Sequence, residues 1–231
     1  MEEEEGLRNF LAQVVHPLMD DEVYVVLGAY RKKYYSGLPR SHEVVVRELV
    51  RSNDLADLVT ATNRVEAVLR VTRVDGLVPP PEAGVVYLDL NPKSVFAGYH
   101  SFVTEINKYV SYALNDQSYD RSVARRLDKK LLSEVHKATS RKLYLLVDLD
   151  LSDQGLLVQL VQDLRPHVRW ISKTHGGYHI ITDNNKQVGS TLHQQYKDAP
   201  VELKRQVLTP VPYTKQGGFK VVPVPLEEVV E

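Results

Sequence analysis

The sequence contains no cysteine among its 231 residues. Disulfides, zinc sites built on thiolates and cysteine nucleophiles are therefore excluded, and a reducing cytoplasm is the expected compartment. No apolar run approaches the ~18 residues of a membrane-spanning helix. The first ten residues, MEEEEGLRNF, are acidic where a secretory signal is basic, so we expect no secretion by that route.

An excess of charge of either sign is also missing. The chain has 29 basic and 30 acidic side chains and a net charge of -1. A polyanionic partner would therefore have to be bound by a local basic surface. The apolar fraction of 43% and the charged fraction of 26% are those of a globular protein long enough to bury a sizeable core.

The first half of the chain predicts an α/β unit. Residues 22–35 are typical of a buried strand with a basic, tyrosine-rich end, and residues 42–52 have the apolar spacing of a helix. A polar region then leads to the proline-rich loop 77–84 and to a strand over 84–90. The following NPKS predicts a turn with Pro92 at a first helical position. Helical patterns cover residues 94–114 and about 119–139.

The second half predicts the element order βαββαβ. Its strands are expected near 141–150, 167–173, 178–182 and 201–208, and its helices over 153–164 and 185–196. In this ferredoxin-like or RRM-like arrangement the first and third strands are antiparallel neighbours, and the fourth strand flanks the first. The arrangement gathers the end of the first strand and the starts of the third and fourth at one edge of a sheet.

Acidic residues and a histidine occupy that edge. Asp148 and Asp150 share one strand face about 7 Å apart, and paired carboxylates suit Mg²⁺ or Mn²⁺. Glu202 is the expected third carboxylate. In the turn THGG and the strand that follows it, His179 is a candidate for contact with a nucleotide triphosphate, and His175 is the weaker candidate. The alternative is that one aspartate only caps the helix near residue 153.

The motifs VDLD, GGYH and VELK, with LTPVPYTKQGGFKV after them, resemble the archaeo-eukaryotic primase superfamily, also called primase-polymerases. The resemblance covers about residues 141–225 by motif and the first 140 residues by general layout. It implies an α+β protein in which an RRM-like catalytic lobe (116–231) packs against an N-terminal α/β lobe (1–115), with the active site in the cleft between them.

The resemblance also implies roles for individual residues. Two metal ions, Mg²⁺ or Mn²⁺, would be held by Asp148, Asp150 and Glu202, with Asp198 or Asp183 as alternatives to Glu202. Residues expected to contact the nucleotide are His179, Lys173, Gly177, Arg31 and Lys215. The implied activity is template-directed nucleotidyl transfer on single-stranded DNA from nucleoside triphosphates. A replicative helicase is a further expected partner, no membrane is involved, and the compartment is the cytoplasm of a prokaryotic or virus-infected cell.

Further signals leave other readings open. A basic patch able to follow a nucleic-acid backbone is expected on a helix, formed by Arg125, Arg126, Lys129 and Lys130. Lys33 and Lys220 are additional basic residues that we expect near the cleft. VELK also matches the E-x-K element of metal-dependent nucleases, in which Lys204 would orient water. A non-catalytic RRM-like module that binds single strands is the third alternative.

Asp89 and Asn91 in YLDLNP repeat the spacing of Asp148 and Asp150. We interpret them as the end of a strand and a helix cap, because no second glycine-histidine turn accompanies them.

Overall fold

The structure, a computed structural model, describes residues 2–39, 42–116, 118, 121–150 and 153–230. It is an α+β protein with antiparallel sheets. The helices are α1 Glu2–Val14, α2 Leu55–Val71, α3 Val95–Asn115, α4 Leu127–Lys137, α5 Gln154–Leu164, α6 Lys186–Gln195 and α7 Leu226–Val230. The strands are β1 Glu22–Arg31, β2 His42–Val50, β3 Gly84–Ser94, β4 Tyr144–Leu149, β5 Val168–Lys173, β6 Tyr178–Asp183, β7 Val201–Lys204, β8 Leu208–Pro210, β9 Lys215–Gln216, β10 Phe219–Lys220 and β11 Val222–Pro223.

The first sheet has the strand order β10-β9-β3-β1-β2, and β8 also pairs with β3. The helix predicted over residues 42–52 is wrong, because this segment forms β2. It pairs antiparallel with β1, from Arg31 opposite His42 to Tyr24 opposite Val50. Three consecutive valines, 44–46, suit the extended chain of a strand. The antiparallel partner outweighs the helical spacing of the segment.

Helix α2 was missed by the sequence prediction, which assigned residues 55–71 to a polar region. The side chain of Asp54 accepts from the backbone N–H of Ala56 and caps α2. The buried face of α2 packs under β1 and β3. The NPKS turn is also corrected. β3 continues through Pro92 to Ser94, and Ser94 rather than Pro92 begins α3 as its N-cap.

The second sheet has the strand order β11-β5-β6-β4-β7, and every pairing is antiparallel. The expected neighbours are observed: β4 pairs with β6 and with β7. Helices α5 and α6 cover one face, on which Leu145, Val147 and Leu149 of β4 are buried. The sequence predicts Ser152 or Asp153 as the cap of α5, and Asp153 is the cap, because its side chain accepts from the N–H of Leu156. The other face of β4 carries Tyr144 and Leu146 toward the core of the first sheet.

A common core and polar contacts join the two sheets. Phe10 of α1 packs edge-on against Trp170 of β5, with ring centroids 5.0 Å apart. The guanidinium of Arg141 donates to the buried carboxylate of Glu22 at 2.6 to 3.1 Å. The division at residues 115 and 116 stays a prediction, but β8 and β9 lie in the first sheet although their residues fall in the second predicted lobe.

Helices α3 and α4 form a pair beside β3. Gly98 is buried where α3 crosses α4, and a Cβ built on it would lie 2.5 Å from Cα of Val135. Of the helices in the described part of the chain, none is both long and apolar enough to span a membrane.

Candidate functional site

The register of the second sheet aligns three of the predicted site residues. Asp148 of β4 lies directly opposite His179 of β6 on one side and opposite Glu202 of β7 on the other. Directly opposed residues of antiparallel strands point to the same face. The three side chains therefore form a row on the face that carries Tyr144 and Leu146, away from α5 and α6.

Lys204 completes this row, two residues beyond Glu202 on the same strand face. Its ammonium contacts Oδ2 of Asp148 and lies 3.2 Å from Oε2 of Glu202. On the other side, Nε2 of His179 lies 3.2 Å from Oδ1 of Asp148. Both Asp148 and His179 are buried, whereas Glu202 is exposed. Asp148 is thus the centre of the cluster.

The neighbouring side chains keep the carboxyl group of Asp148 ionised. Burial alone raises the pKa of Asp148, but contacts with His179 and Lys204 outweigh it and lower the pKa to about 2. Burial likewise lowers the pKa of Lys204, and contacts with Asp148 and Glu202 outweigh it and raise the pKa. A carboxylate and an ammonium group therefore face each other at neutral pH.

Asp150 follows the end of β4 and is exposed. Its N–H donates to the carbonyl of Pro200 at 3.2 Å, and its carboxylate has no hydrogen bond or ion pair with any residue that the structure describes. A Cβ built on Gly176 would lie 3.8 Å from Oδ1 of Asp150, so this carboxylate adjoins the turn between β5 and β6. It is available for an added cation.

Neither alternative to Glu202 shares its position. Asp183 lies at the far end of β6, opposite Tyr144, and binds the guanidinium of Arg169 at 2.5 and 2.7 Å. Asp198 is exposed, and its only ion pair within the described ranges is with Lys197 at 4.0 Å. The register favours Glu202 as the carboxylate beside Asp148.

The predicted nucleotide lysines do not join the cluster. Lys173 lies opposite Tyr178, whose side chain packs against α5 and α6, so Lys173 belongs to the other face of the sheet. Lys215 lines a separate cavity of about 320 Å³ with Glu66 and Arg70 of α2. Lys220 contacts Glu3 of α1. Strand alternation explains why Lys173 and Lys215 lie outside the cluster, because neighbouring residues of a strand point to opposite faces.

The guanidinium of Arg31 donates to the hydroxyl of Tyr87 at 2.6 Å, and sequence reasoning missed two residues of the same region, Tyr34 and Gln216. Burial raises the pKa of Tyr34, the guanidinium of Arg31 opposes this shift, and the carboxylate of Asp148 adds to it. Tyr34 therefore lies near a charged group of each sheet, Arg31 of β1 and Asp148 of β4. Gln216 accepts from the N–H of His175 at 3.0 Å, where the prediction named its neighbour Lys215. The alternation of β9 was the signal that could have identified Gln216.

The turn between β5 and β6 is closed by its own backbone. The N–H of Thr174 donates to the carbonyl of Gly177 at 2.8 Å, and Gly177 has a φ of +155°. The turn holds His179 at the start of β6. In the part of the chain described, Nδ1 of His179 is buried without a hydrogen-bond partner. A buried ring nitrogen with no partner is costly unless a ligand completes it.

The predicted basic patch is partly neutralised. Lys130 lies 3.0 Å from Glu134 and 3.7 Å from Glu105, so acidic side chains already surround it. Arg125 is exposed, and Arg126 and Lys129 line a cavity of about 340 Å³ beside β2. These three remain accessible to a polyanion, but they lie apart from Asp148 in the fold.

Asp89 and Asn91 have structural roles that differ from the predicted strand end and helix cap. Asp89 is buried within β3, 2.8 Å from the ammonium of Lys93 and 3.3 Å from Nε2 of His136. Asn91 accepts from the N–H groups of Leu143 and Tyr144 at 2.9 and 3.0 Å. It thereby ties β3 to the start of β4.

The carboxylates have the chemistry of a divalent-metal site but are not assembled as one. Within the described ranges, no group of three or more acidic or histidine side chains is arranged to hold a metal ion. Lys204 neutralises Asp148 and Glu202, while Asp150 has no cationic partner among the residues that the structure describes. The carboxylate oxygens of Asp148, Asp150 and Glu202 are of the kind that Mg²⁺ and Mn²⁺ prefer, and the ammonium of Lys204 lies between two of them, Asp148 and Glu202.

A groove of about 540 Å³ lies elsewhere, between α1, β5 and the C-terminal segment. Its lining contains no member of the Asp148 cluster, so this groove is separate from the candidate site. Comparison of the chain with protein-family models, with curated proteins and with solved structures gives no match.

Proposed function

We propose that this chain is a primase-polymerase catalytic domain that joins nucleoside triphosphates on a single-stranded DNA template. The observation that carries the proposal is the single row of Glu202, Asp148 and His179 across three adjacent strands, with Asp150 at its open end. The strand order β5-β6-β4-β7 supports an RRM-like unit of the kind that the sequence motifs suggest.

The roles of the residues follow from their contacts. Divalent metal, held by Asp148 and Asp150 with Glu202, would lower the pKa of the attacking hydroxyl and neutralise the leaving pyrophosphate. A His179 ring protonated at both nitrogens would donate from Nε2 to Asp148 and from the otherwise unpartnered Nδ1 to a phosphate oxygen. Asp148 holds His179 through Nε2, so the ring is oriented before a nucleotide arrives. Catalysis of this type depends mainly on positioning and on charge neutralisation.

A primer-synthesis assay tests the proposal. The protein is incubated with single-stranded template, Mn²⁺ or Mg²⁺ and labelled nucleotides, in parallel with Asp148→Asn and Asp198→Asn. The first variant loses a central carboxylate and should lose activity at least 100-fold. The second loses an exposed carboxylate outside the row and should keep it. Absence of product from the wild-type protein with varied templates and both metals would contradict the proposal.

A metal-dependent nuclease is the second candidate, because Lys204 contacts Asp148 and Glu202 together. An acid opposite an E-x-K element is the arrangement in which a lysine orients the attacking water. This candidate predicts cleavage of DNA without nucleotides, and Lys204→Ala should be more damaging than His179→Ala. The polymerase predicts the reverse order of damage. Single-strand binding without either reaction, unaffected by Asp148→Asn, would instead indicate a binding module.

A further inference from the structure

Three aromatic rings from separate segments meet beside Asp150. Tyr34 follows β1, His175 lies in the turn between β5 and β6, and Phe219 belongs to β10. The ring centroids of Tyr34 and His175 are 5.0 Å apart, and those of His175 and Phe219 are 6.5 Å apart. We call these three residues the aromatic cluster. It brings together elements of both sheets.

The cluster is held by its surroundings. Gln216 accepts from the N–H of His175 at 3.0 Å and fixes the turn to β9. Gly217 has a φ of +61°, and a Cβ built on it would lie 2.5 Å from Cδ1 of Tyr34. The ring of Tyr34 therefore packs directly on a backbone that only glycine allows here. A preorganised aromatic surface loses little entropy when a ligand stacks on it.

Exposure and charge suit a nucleic acid. His175 is exposed, and Tyr34 and Phe219 are partly exposed. The ammonium of Lys33 lies 5.0 Å from the centroid of the Tyr34 ring, and Lys32 beside it is exposed. Aromatic faces beside lysines are the combination by which proteins bind single strands, with bases on the rings and phosphates on the cations.

We propose that nucleobases of a single strand stack on the aromatic cluster, with Lys32 and Lys33 contacting the phosphates. This inference rests on the proposed function, because it identifies where the template approaches Asp150. The turn that carries His175 also carries Gly176, whose built Cβ lies 3.8 Å from Oδ1 of Asp150. A base stacked on His175 would thus lie one residue along the turn from the point that adjoins Asp150.

The test measures binding without catalysis. Fluorescein-labelled oligothymidylate is titrated with protein in EDTA, and fluorescence anisotropy gives Kd. His175→Ala removes an exposed ring and should weaken binding about 5- to 100-fold, the range that loss of one base stack produces. Phe219→Leu keeps an apolar side chain but loses the ring, and should weaken binding in the same direction. Lys33→Ala should reduce the dependence of Kd on salt concentration.

Controls separate this inference from the proposed function. Tyr99→Ala removes an exposed ring on α3 and should leave Kd unchanged. Equal Kd values for the wild-type protein, His175→Ala and Phe219→Leu would overturn the inference, even if primer synthesis is observed. Conversely, weakened binding in these two variants would support the cluster even if the wild-type protein makes no primer.

A second assay distinguishes a base of the single strand from the base of an incoming nucleotide. The same variants are assayed for the KM of dTTP in primer extension. An unchanged oligonucleotide Kd with a raised KM would assign the cluster to the incoming nucleotide and overturn the assignment to the single strand.

Discussion

The ion pair between Glu22 and Arg141 joins the two sheets and should control stability at acid pH. Glu22 is fully buried, and Arg141 donates to it through Nε and Nη2 while also donating to the carbonyl of Pro17 at 2.7 Å. Burial raises the pKa of Glu22, but the contacts with Arg141, together with hydrogen bonds from the N–H of Met19 and from Ser140, outweigh it and lower the pKa to about 2. The substitution Glu22→Gln removes the charge and keeps the shape.

The size of the effect follows from the shift in pKa. A fall from 4.5 to about 2 corresponds to about 3 kcal/mol at ~1.4 kcal/mol per unit. Because folding lowers this pKa, the unfolded chain takes up the proton first as the pH falls. The contribution is complete above pH 4.5 and is lost as the pH falls through about 2. We expect Glu22→Gln to be about 3 kcal/mol less stable at pH 7 and roughly half of that at pH 3.

Urea unfolding followed by circular dichroism at pH 7 and pH 3 measures both differences. Glu134 also has its pKa lowered to about 2, but it is present in both proteins and its effect cancels. Arg141→Gln and the double variant complete a cycle, in which the two losses should be less than additive. A loss below 0.5 kcal/mol at pH 7, or a loss that does not change with pH, would refute this reasoning.

Three further substitutions test the packing. Gly98→Ala should destabilise the protein by about 1–3 kcal/mol despite the higher helix propensity of alanine, because the new Cβ meets Cα of Val135, and a fall in Tm measures it. Phe10→Ala should cost about 3–5 kcal/mol in urea unfolding and shift the emission of Trp170, the single tryptophan, to longer wavelength. Asn91→Ala leaves the buried N–H of Tyr144 and the part-buried N–H of Leu143 unpaired and should cost about 2–4 kcal/mol in urea unfolding; a loss below about 1 kcal/mol would contradict this.

The sequence predicted the second sheet well because its signals are local. Asp153 caps α5 three residues before the N–H that it binds, and the THGG turn joins two adjacent strands. Once the order βαββαβ is accepted, the pairing of β4 with β6 and β7 follows, and with it the meeting of Asp148, His179 and Glu202.

The errors occurred where distant partners decide the outcome. Residues 42–50 have helical spacing, but β1 provides an antiparallel partner, and pairing depends on contacts that a local window does not contain. Lys173 and Lys215 were chosen for their charge, whereas their positions on a strand turn them away from His179. The contact of Lys204 with Asp148 required the register between β4 and β7.

The return of residues 208–216 to the first sheet affects how the chain is built on the ribosome. β8 and β9 cover the edge of β3 that β1 leaves free, from Asp89 to Val85. During synthesis that edge has no hydrogen-bonding neighbour until β4 to β7 of the second sheet have emerged, and open edges recruit strands from other chains. The nascent chain is therefore most exposed to aggregation before residues 208–216 pair with β3.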